Sequence, residues 1–311
     1  MQQQRDLHDV WADDFDEQFD ALLNAVSRAG GAEAVLAVDM EFPGFLCPNS
    51  QFCSRAVHYQ ALRYNVDRLW PIQLGVAVSS SKGDIEGVWT FNFRFDSDVD
   101  AHSDESISFL KDAGLDFPKH RSQGVAAIAL GKRLAESTLI GRYAPRWLTF
   151  SGSYDWGYLL KLVTLGRPLP TLPGQFDHIL AMYCPNRKEL RDLLPTGSLE
   201  VLGKRYGVRR WGVAHTAGSD ALLTLELSLV SGISKLEPSS RGKVGSAQNW
   251  EKSWQDDGEY FDRGDYWENP AWENTHWSPE NWANHAWLLD RRHQSMASAW
   301  NPAAFFPWLA I

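Results

Sequence analysis

The pattern of apolar and polar positions predicts strands early in the chain and mostly helices later. Short apolar runs typical of strands lie at residues 35–38, 72–78, 89–95 and 147–150. Apolar residues recur at helical spacing at 15–26, 107–110, 125–139, 154–162, 199–206 and 217–227. Because three strands come in succession, we expect an antiparallel meander within one mixed sheet flanked by helices, an α/β fold. Residues 45–70 show no clear period and are predicted to be loop.

Aromatic and polar residues alternate in the third run, 89–95, which predicts a strand buried on one face only.

Composition limits the classes of protein that fit. The chain has 311 residues, 44% of them hydrophobic, which is enough for a globular core. Its formal charge of −9 argues against a protein that coats nucleic acid with a basic surface, but not against an enzyme whose metal ions supply positive charge locally. The cysteines, Cys47, Cys53 and Cys184, form neither a disulfide framework nor a zinc motif. No leader or membrane span is evident, so we expect the cytoplasm or nucleus.

The composition changes near residue 235. Residues 236–311 hold 11 acids, 6 bases and nine of the 15 tryptophans, and the tryptophans at 267, 272, 277, 282 and 287 recur every five residues. That period matches neither helix nor strand, so we expect a disordered or weakly ordered C-terminal tail after a folded domain at 1–235. The alternative, suggested by the many aromatic residues, is a short docking segment whose partner the sequence does not identify.

Two carboxylates directly follow the apolar run at 35–38. Asp39 and Glu41 lie two positions apart, so on a strand both point to the same face. Pro43-Gly44 ends the strand just beyond them. A divalent metal ion would relieve the repulsion between two such neighbouring charges, whereas the structural alternative is a strand that simply runs into a polar turn.

Two further acids open apolar helical segments. Asp155 follows a Gly-Ser turn, and Asp220 lies five positions after His215. Taken singly, each acid fits a helix cap and the histidine fits a solvated loop residue. Together, four acids and a histidine supply what two-metal phosphoryl transfer requires, namely carboxylates converging on ions about 4 Å apart and a base for the attacking water.

Several longer motifs surround these residues. They are L-A-V-D-M-E-F-P-G at 36–44, Y-N-V-D at 64–67 with I-Q-L-G at 72–75, W-T-F-N-F-R-F at 89–95, Ser106-Ile107, Y-D-W-G-Y-L-L-K-L at 154–162 and H-T-A-G-S-D-A-L-L-T at 215–224. On these motifs the chain resembles the DEDD exonucleases with a histidine in the last motif. Within them it is similar to the CCR-associated factor one (Pop-type) deadenylase subunits of the CCR–NOT complex. The resemblance runs from about Val10 to about Ile233.

The resemblance implies an RNase H-like DEDD exonuclease fold and a set of roles. Asp39, Glu41, Asp155 and Asp220 would bind two divalent ions, Mg²⁺ or alternatively Mn²⁺. Asp39 would bridge the ions, Glu41 and Asp220 would complete the site of the nucleophilic water, and Asp155 would hold the second ion. His215 would be the general base. The implied reaction is 3′-5′ removal of 5′-AMP from poly(A) RNA, with a NOT-type scaffold and a CCR-type nuclease as partners and with no membrane.

The chain departs from the family pattern at Trp70-Pro71, Ser151, Trp156 and Arg191, and none of these positions is an implied metal ligand. Two alternatives remain. One is a non-catalytic scaffold subunit that bridges another nuclease to a NOT-type platform, which would not need four mutually repelling carboxylates. The other is an exonuclease of the same fold that acts on other RNA or on DNA.

Overall fold

The structure is a computed structural model that describes residues 7–47 and 54–233. The predicted tail at 236–311, with its docking alternative, and Cys53 lie outside the described residues. Within the described part of the chain, no helix is long and apolar enough to cross a bilayer.

Six strands form one mixed sheet. They are β1 (Leu7–Val10), β2 (Val35–Glu41), β3 (Gln73–Ser79), β4 (Ile85–Asn92), β5 (Arg146–Thr149) and β6 (Arg187–Glu189). Their order in the sheet is β1-β4-β3-β2-β5-β6. β3 pairs antiparallel with both neighbours, whereas the other pairs are parallel. The predicted antiparallel meander β2-β3-β4 and the mixed sheet are therefore confirmed. The two edge strands, β1 and β6, have four and three residues. They were not predicted, because so short a run shows no clear alternation of apolar and polar residues.

Nine α-helices lie in the described part of the chain. They are α1 (Phe15–Arg28), α2 (Arg55–Arg68), α3 (Asp104–Asp112), α4 (Phe117–Gln123), α5 (Ala127–Ala135), α6 (Ser153–Val163), α7 (Pro173–Tyr183), α8 (Leu199–Arg205) and α9 (Ala217–Val230). The predicted helices correspond to α1, α3, α5, α6, α8 and α9.

The prediction of loop at 45–70 was wrong for α2. The buried positions of α2 have helical spacing, but His58, Tyr59 and Asn65 among them carry polar groups. Their burial is stabilised by partners distant in sequence: the Asn65 side-chain oxygen accepts from the backbone N–H of Leu46, and the Tyr59 hydroxyl donates to the carbonyl of Pro170. A helix whose buried face carries polar side chains has no apolar period in its sequence.

β2 separates two hydrophobic cores. Its side chains at 36, 38 and 40 pack in the larger core with α1, α2 and α6, while Val35 and Ala37 pack on the opposite face against Ala221, Leu222 and Leu225 of α9. Because strand side chains alternate, Asp39 and Glu41 continue the face of Val35 and Ala37. The alternation of side chains along β2 thus places both acids on the face of the sheet that α9 covers.

The prediction that the third strand is only half-buried was also wrong. Trp89, Phe91 and Phe93 lie in the larger core, and the polar residues between them are buried as well, with Thr90 8% and Asn92 2% exposed. Helices cover both faces of the sheet here, so an alternating sequence does not indicate a solvent-exposed face.

Candidate active site

Three carboxylates from two elements converge at the end of β2. One carboxylate oxygen each from Asp39, Glu41 and Asp220 lies within 4.8 Å of the other two. Asp39 and Glu41 come from the strand, and Asp220 comes from the first turn of α9. Hard oxygen ligands in such a group suit Mg²⁺ or Mn²⁺. The convergence predicted from the D-x-E motif and the later helix is therefore present.

The start of α9 lies almost directly on β3. Gln73 accepts a hydrogen bond of 3.2 Å from the backbone N–H of Ala217, and its side-chain amide donates to Asn92 at 2.7 Å. A Cβ on Gly75 would lie 2.0 Å from the carbonyl oxygen of Ala217, so only glycine permits this approach. This contact sets the position of α9 relative to β2 and thereby that of Asp220.

Arg210 is the charged partner of Asp220. Its Nη1 donates to Asp220 Oδ1 at 2.6 Å and to Ser219 Oγ at 3.0 Å, while its Nε donates to Glu200 Oε2 at 2.8 Å. The guanidinium thus bridges α8 to the carboxylate group, where charge-assisted hydrogen bonds are strong and directional.

His215 lies at the solvent side of this group. Its backbone N–H donates to Asp220 Oδ2 at 2.9 Å, and its backbone adopts a left-handed φ of 62°. The ring meets Phe109 of α3 edge-on, with centroids 4.7 Å apart. The His215 side chain is exposed to solvent next to the carboxylate group.

Asp155 lies in the first turn of α6 and is only 8% exposed. Burial raises its pKa to about 7, aided by the charge of Glu189, while hydrogen bonds from the backbone, including that of Met40 in β2, oppose the rise. Its Oδ1 is buried without a hydrogen-bond partner. A buried carboxylate oxygen without a partner is costly and fits the ligand atom of a cation.

The pKa values of the two strand acids are raised mainly by burial and further by the neighbouring acids. Burial raises the pKa of Glu41 to about 8, with the charges of Asp220 and Asp155 adding to the rise. Burial also raises the pKa of Asp39 well above its usual value, and the charges of all three neighbouring acids act in the same direction, opposed by Arg210. A divalent cation would compensate this accumulated negative charge.

The structure brings three of the five predicted residues into one group and places the other two near it. Asp39, Glu41 and Asp220 share one group, whereas Asp155 reaches it through its electrostatic effect and His215 through its backbone hydrogen bond to Asp220. Sequence reasoning missed Gln73 and Arg210. The signal for Gln73 was a lone amide within an apolar strand run, but Arg210 lies ten residues before Asp220 in an irregular segment and had no local signal.

Comparisons with known proteins show which family the chain resembles. The family model described as CAF1 family ribonuclease matches residues 10–130. The poly(A) ribonuclease pop2 of Schizosaccharomyces pombe is 34% identical over 231 residues, which cover 71% of this chain and 68% of that protein.

Two solved structures are also similar. The structure of S. pombe Pop2p with Mg²⁺ and Mn²⁺ bound has a TM-score of 0.67 and 33% identity, covering 72% of this chain and 91% of that one. The CAF1 structure crystallised with the MIF4G domain of yeast NOT1 has a TM-score of 0.59 and 28% identity, covering 73% of this chain and 89% of that one.

The mixed sheet with its flanking helices is therefore the RNase H-like exonuclease fold that the motifs predicted. Within that class, the chain belongs to the CAF1 family of ribonucleases.

Proposed function

We propose that this protein is a metal-dependent 3′-5′ exoribonuclease that shortens the poly(A) tails of mRNA and releases 5′-AMP. The observation that carries the proposal is the group formed by Asp39, Glu41 and Asp220, whose ligand oxygens lie within 4.8 Å of one another. The backbone N–H of His215 donates a hydrogen bond to Asp220 beside this group. Membership of a ribonuclease family supports hydrolysis of RNA, and the name of the S. pombe relative supports poly(A) as the substrate.

Each residue contributes through its position. Asp39, Glu41 and Asp220 would hold one divalent cation, and Asp155 with Asp39 would hold a second. When bound, such ions polarise a phosphate oxygen and lower the pKa of a bound water. His215, exposed beside Asp220, would accept the proton of the attacking water through its imidazole. Arg210 would keep Asp220 in place by holding its Oδ1.

A purely structural role fits these residues poorly. Burial and like charges raise the pKa values of Asp39 and Glu41, so their ionised forms weaken the metal-free fold. A scaffold would be more stable with neutral side chains at these positions. The accumulated charge is useful only where a cation binds.

We further propose assembly with a NOT-type scaffold and a CCR-type nuclease, in the cytoplasm and the nucleus, where mRNA tails occur. The similarity to a CAF1 chain that was crystallised with a NOT1 domain supports the first of these partners. Co-purification of the tagged protein with a NOT-type scaffold from its own cells, and microscopy of the same tagged protein, test these two proposals.

The test of activity uses a labelled RNA that ends in twenty adenosines and a matched RNA that ends in twenty uridines, with Mg²⁺. We expect the wild type to give a ladder of single-nucleotide products on the first RNA, with little shortening of the second, and Asp39→Ala to give none. Glu86→Gln is the control, because Glu86 pairs with Arg28 at the end of β4 next to Ser79 of β3. Ser79 pairs with Val35, the first residue of β2, whereas Asp39 and Glu41 lie at the other end of that strand.

The outcomes separate the alternatives. Equal shortening of both RNAs would retain the nuclease and reject the preference for poly(A). A well-folded wild type that shortens neither RNA with any divalent metal would reject catalysis and favour the scaffold.

A further inference from the structure

Glu189 is a buried carboxylate that is not among the five predicted site residues. It is the last residue of β6, opposite Thr149 in the register of the parallel β5–β6 pair, and is 6% exposed. Burying a carboxylate is costly unless hydrogen bonds replace its water. The contacts of Glu189 therefore indicate what its burial achieves.

Four hydrogen bonds surround the Glu189 carboxylate. Oε1 accepts from the backbone N–H of Ser151 at 2.8 Å and of Arg191 at 3.0 Å. Oε2 accepts from the backbone N–H of Gly152 and the hydroxyl of Thr149, both at 2.9 Å. Because both oxygens are fully engaged, Glu189 acts on the chain around it and is not itself a ligand in this arrangement.

Three of these donors belong to the turn that joins β5 to α6. Ser151 has a left-handed φ of 59°, which is unfavourable for a residue with a Cβ, and its hydroxyl accepts a hydrogen bond of 2.8 Å from Arg191. Gly152, the residue directly before α6, has no side chain that could cap the helix. Glu189 supplies the anion that a helix N-terminus favours and holds the turn in its unusual conformation.

This turn determines the direction of Asp155. Asp155 is the third residue of α6, and its carboxylate accepts from the backbone of Met40 in β2 while its Oδ1 has no partner. A change in the turn would rotate the first helical turn and move that oxygen.

We propose that Glu189 is a positioning residue of the metal site, which fixes the Thr149–Gly152 turn so that Asp155 faces the end of β2. The proposal rests on the proposed function in that it takes Asp155 as a metal ligand. Its role differs from catalysis, since both oxygens of Glu189 are already hydrogen-bonded to the surrounding chain.

The experiment measures Mn²⁺ binding to the full-length protein by calorimetry without RNA, at a temperature where circular dichroism shows a folded chain. Glu189→Gln places an amide N–H₂ against two donors, and we expect Mn²⁺ affinity to fall about 10- to 100-fold, the usual effect of losing an outer partner of a metal site. Glu189→Asp keeps the charge but has a shorter side chain, so its loss of Mn²⁺ affinity should be smaller. Thr149→Val removes one of the four donors, so its loss of Mn²⁺ affinity should be the smallest.

Glu86→Gln is the control and should bind Mn²⁺ as the wild type does. Unchanged affinity in Glu189→Gln, or in both Glu189→Asp and Thr149→Val if Glu189→Gln does not fold, would overturn the proposal. So would a folded wild type that binds no Mn²⁺. A wild type that binds Mn²⁺ but does not shorten RNA would reject the proposed function, while the comparison of affinities would still decide the role of Glu189.

Discussion

The backbone N–H of His215 donates a hydrogen bond of 2.9 Å to Oδ2 of Asp220. The proposed base is thus tied to a proposed metal ligand through its backbone, which leaves the imidazole available for a proton. The left-handed backbone of His215 persists because this bond and the edge contact with Phe109 hold it. Strain of this kind, found again at Ser151 on the Asp155 side, is typical of functional sites.

Replacing the imidazole should therefore affect the rate and leave metal binding intact. We expect His215→Ala to lower the single-turnover rate of RNA shortening about 10²- to 10⁴-fold, the usual contribution of a general base. Mn²⁺ affinity should stay within about twofold, since the backbone bond to Asp220 does not need the side chain. His178→Ala, at an exposed position of α7, is the control. A parallel loss of Mn²⁺ affinity would show that His215 acts on the site's structure instead.

The acids should make the stability of the metal-free protein depend on pH. The folded-state pKa of Glu41, about 8, is above its ordinary value of 4.5, so its contribution to stability is complete below pH 4.5 and is lost as the pH rises through 8. We expect Glu41→Gln to be more stable than the wild type in EDTA at pH 8.5 by up to about 5 kcal/mol, the free energy that corresponds to a pKa raised from 4.5 to about 8, with the difference nearly gone at pH 4.5. Urea unfolding across that range measures it.

Saturating Mg²⁺ should reverse this order at pH 8.5, because a cation that binds only the folded wild type stabilises it by mass action. The comparison between variant and wild type cancels other titrating groups, such as His120, whose pKa is lowered by burial. A variant less stable than the wild type in EDTA at pH 8.5 would contradict the electrostatic account.

The ion pair of Arg210 with Asp220 should contribute more to stability than its ion pair with Glu200. The side chain of Asp220 is 11% exposed and that of Glu200 is 43% exposed. Removing one partner of a largely buried pair leaves an uncompensated charge, so Arg210→Met should lower the free energy of unfolding in EDTA by about 3–5 kcal/mol. Glu200→Gln breaks only the exposed half of the bridge and should cost less than about 1 kcal/mol. Urea unfolding measures both variants. Equal losses in the free energy of unfolding would mean that Arg210 stabilises the protein through Glu200 of α8 and not through Asp220.

Much of this site could be predicted because its acids follow strong local patterns. Asp39 and Glu41 end an apolar strand, and Asp155 and Asp220 open apolar helices. Periodicity therefore predicted which elements carry these acids, while the family resemblance implied their role as metal ligands. The rest depends on contacts between distant segments. Glu189 lies in a three-residue strand that is too short for its apolar pattern to predict a strand. Its proposed role depends on hydrogen-bond donors about 40 residues away in sequence, such as the Thr149 hydroxyl.

The close approach of α9 to the sheet should make glycine at position 75 indispensable. A Cβ there would lie 2.0 Å from the backbone carbonyl of Ala217, which cannot move without shifting Asp220. We expect Gly75→Ala to lower the free energy of unfolding by more than about 3 kcal/mol and, where the protein still folds, to weaken Mn²⁺ binding at least tenfold. Gly174→Ala in α7, where a Cβ would meet nothing within 4 Å, should change stability by less than about 0.5 kcal/mol.

Gly218 offers a rescue that distinguishes a clash with a side chain from a clash with the backbone. A Cβ at 218 would lie 2.1 Å from the Thr90 hydroxyl but 3.4 Å from Thr90 Cβ, an ordinary contact. Gly218→Ala should therefore destabilise the protein, and adding Thr90→Ala should recover most of that loss, giving a favourable coupling of about 1–3 kcal/mol in a double-mutant cycle. The same Thr90→Ala change should not rescue Gly75→Ala, whose obstacle is backbone. Rescue of both variants, or of neither, would mean that α9 is not held against β3 and β4 by these two glycines.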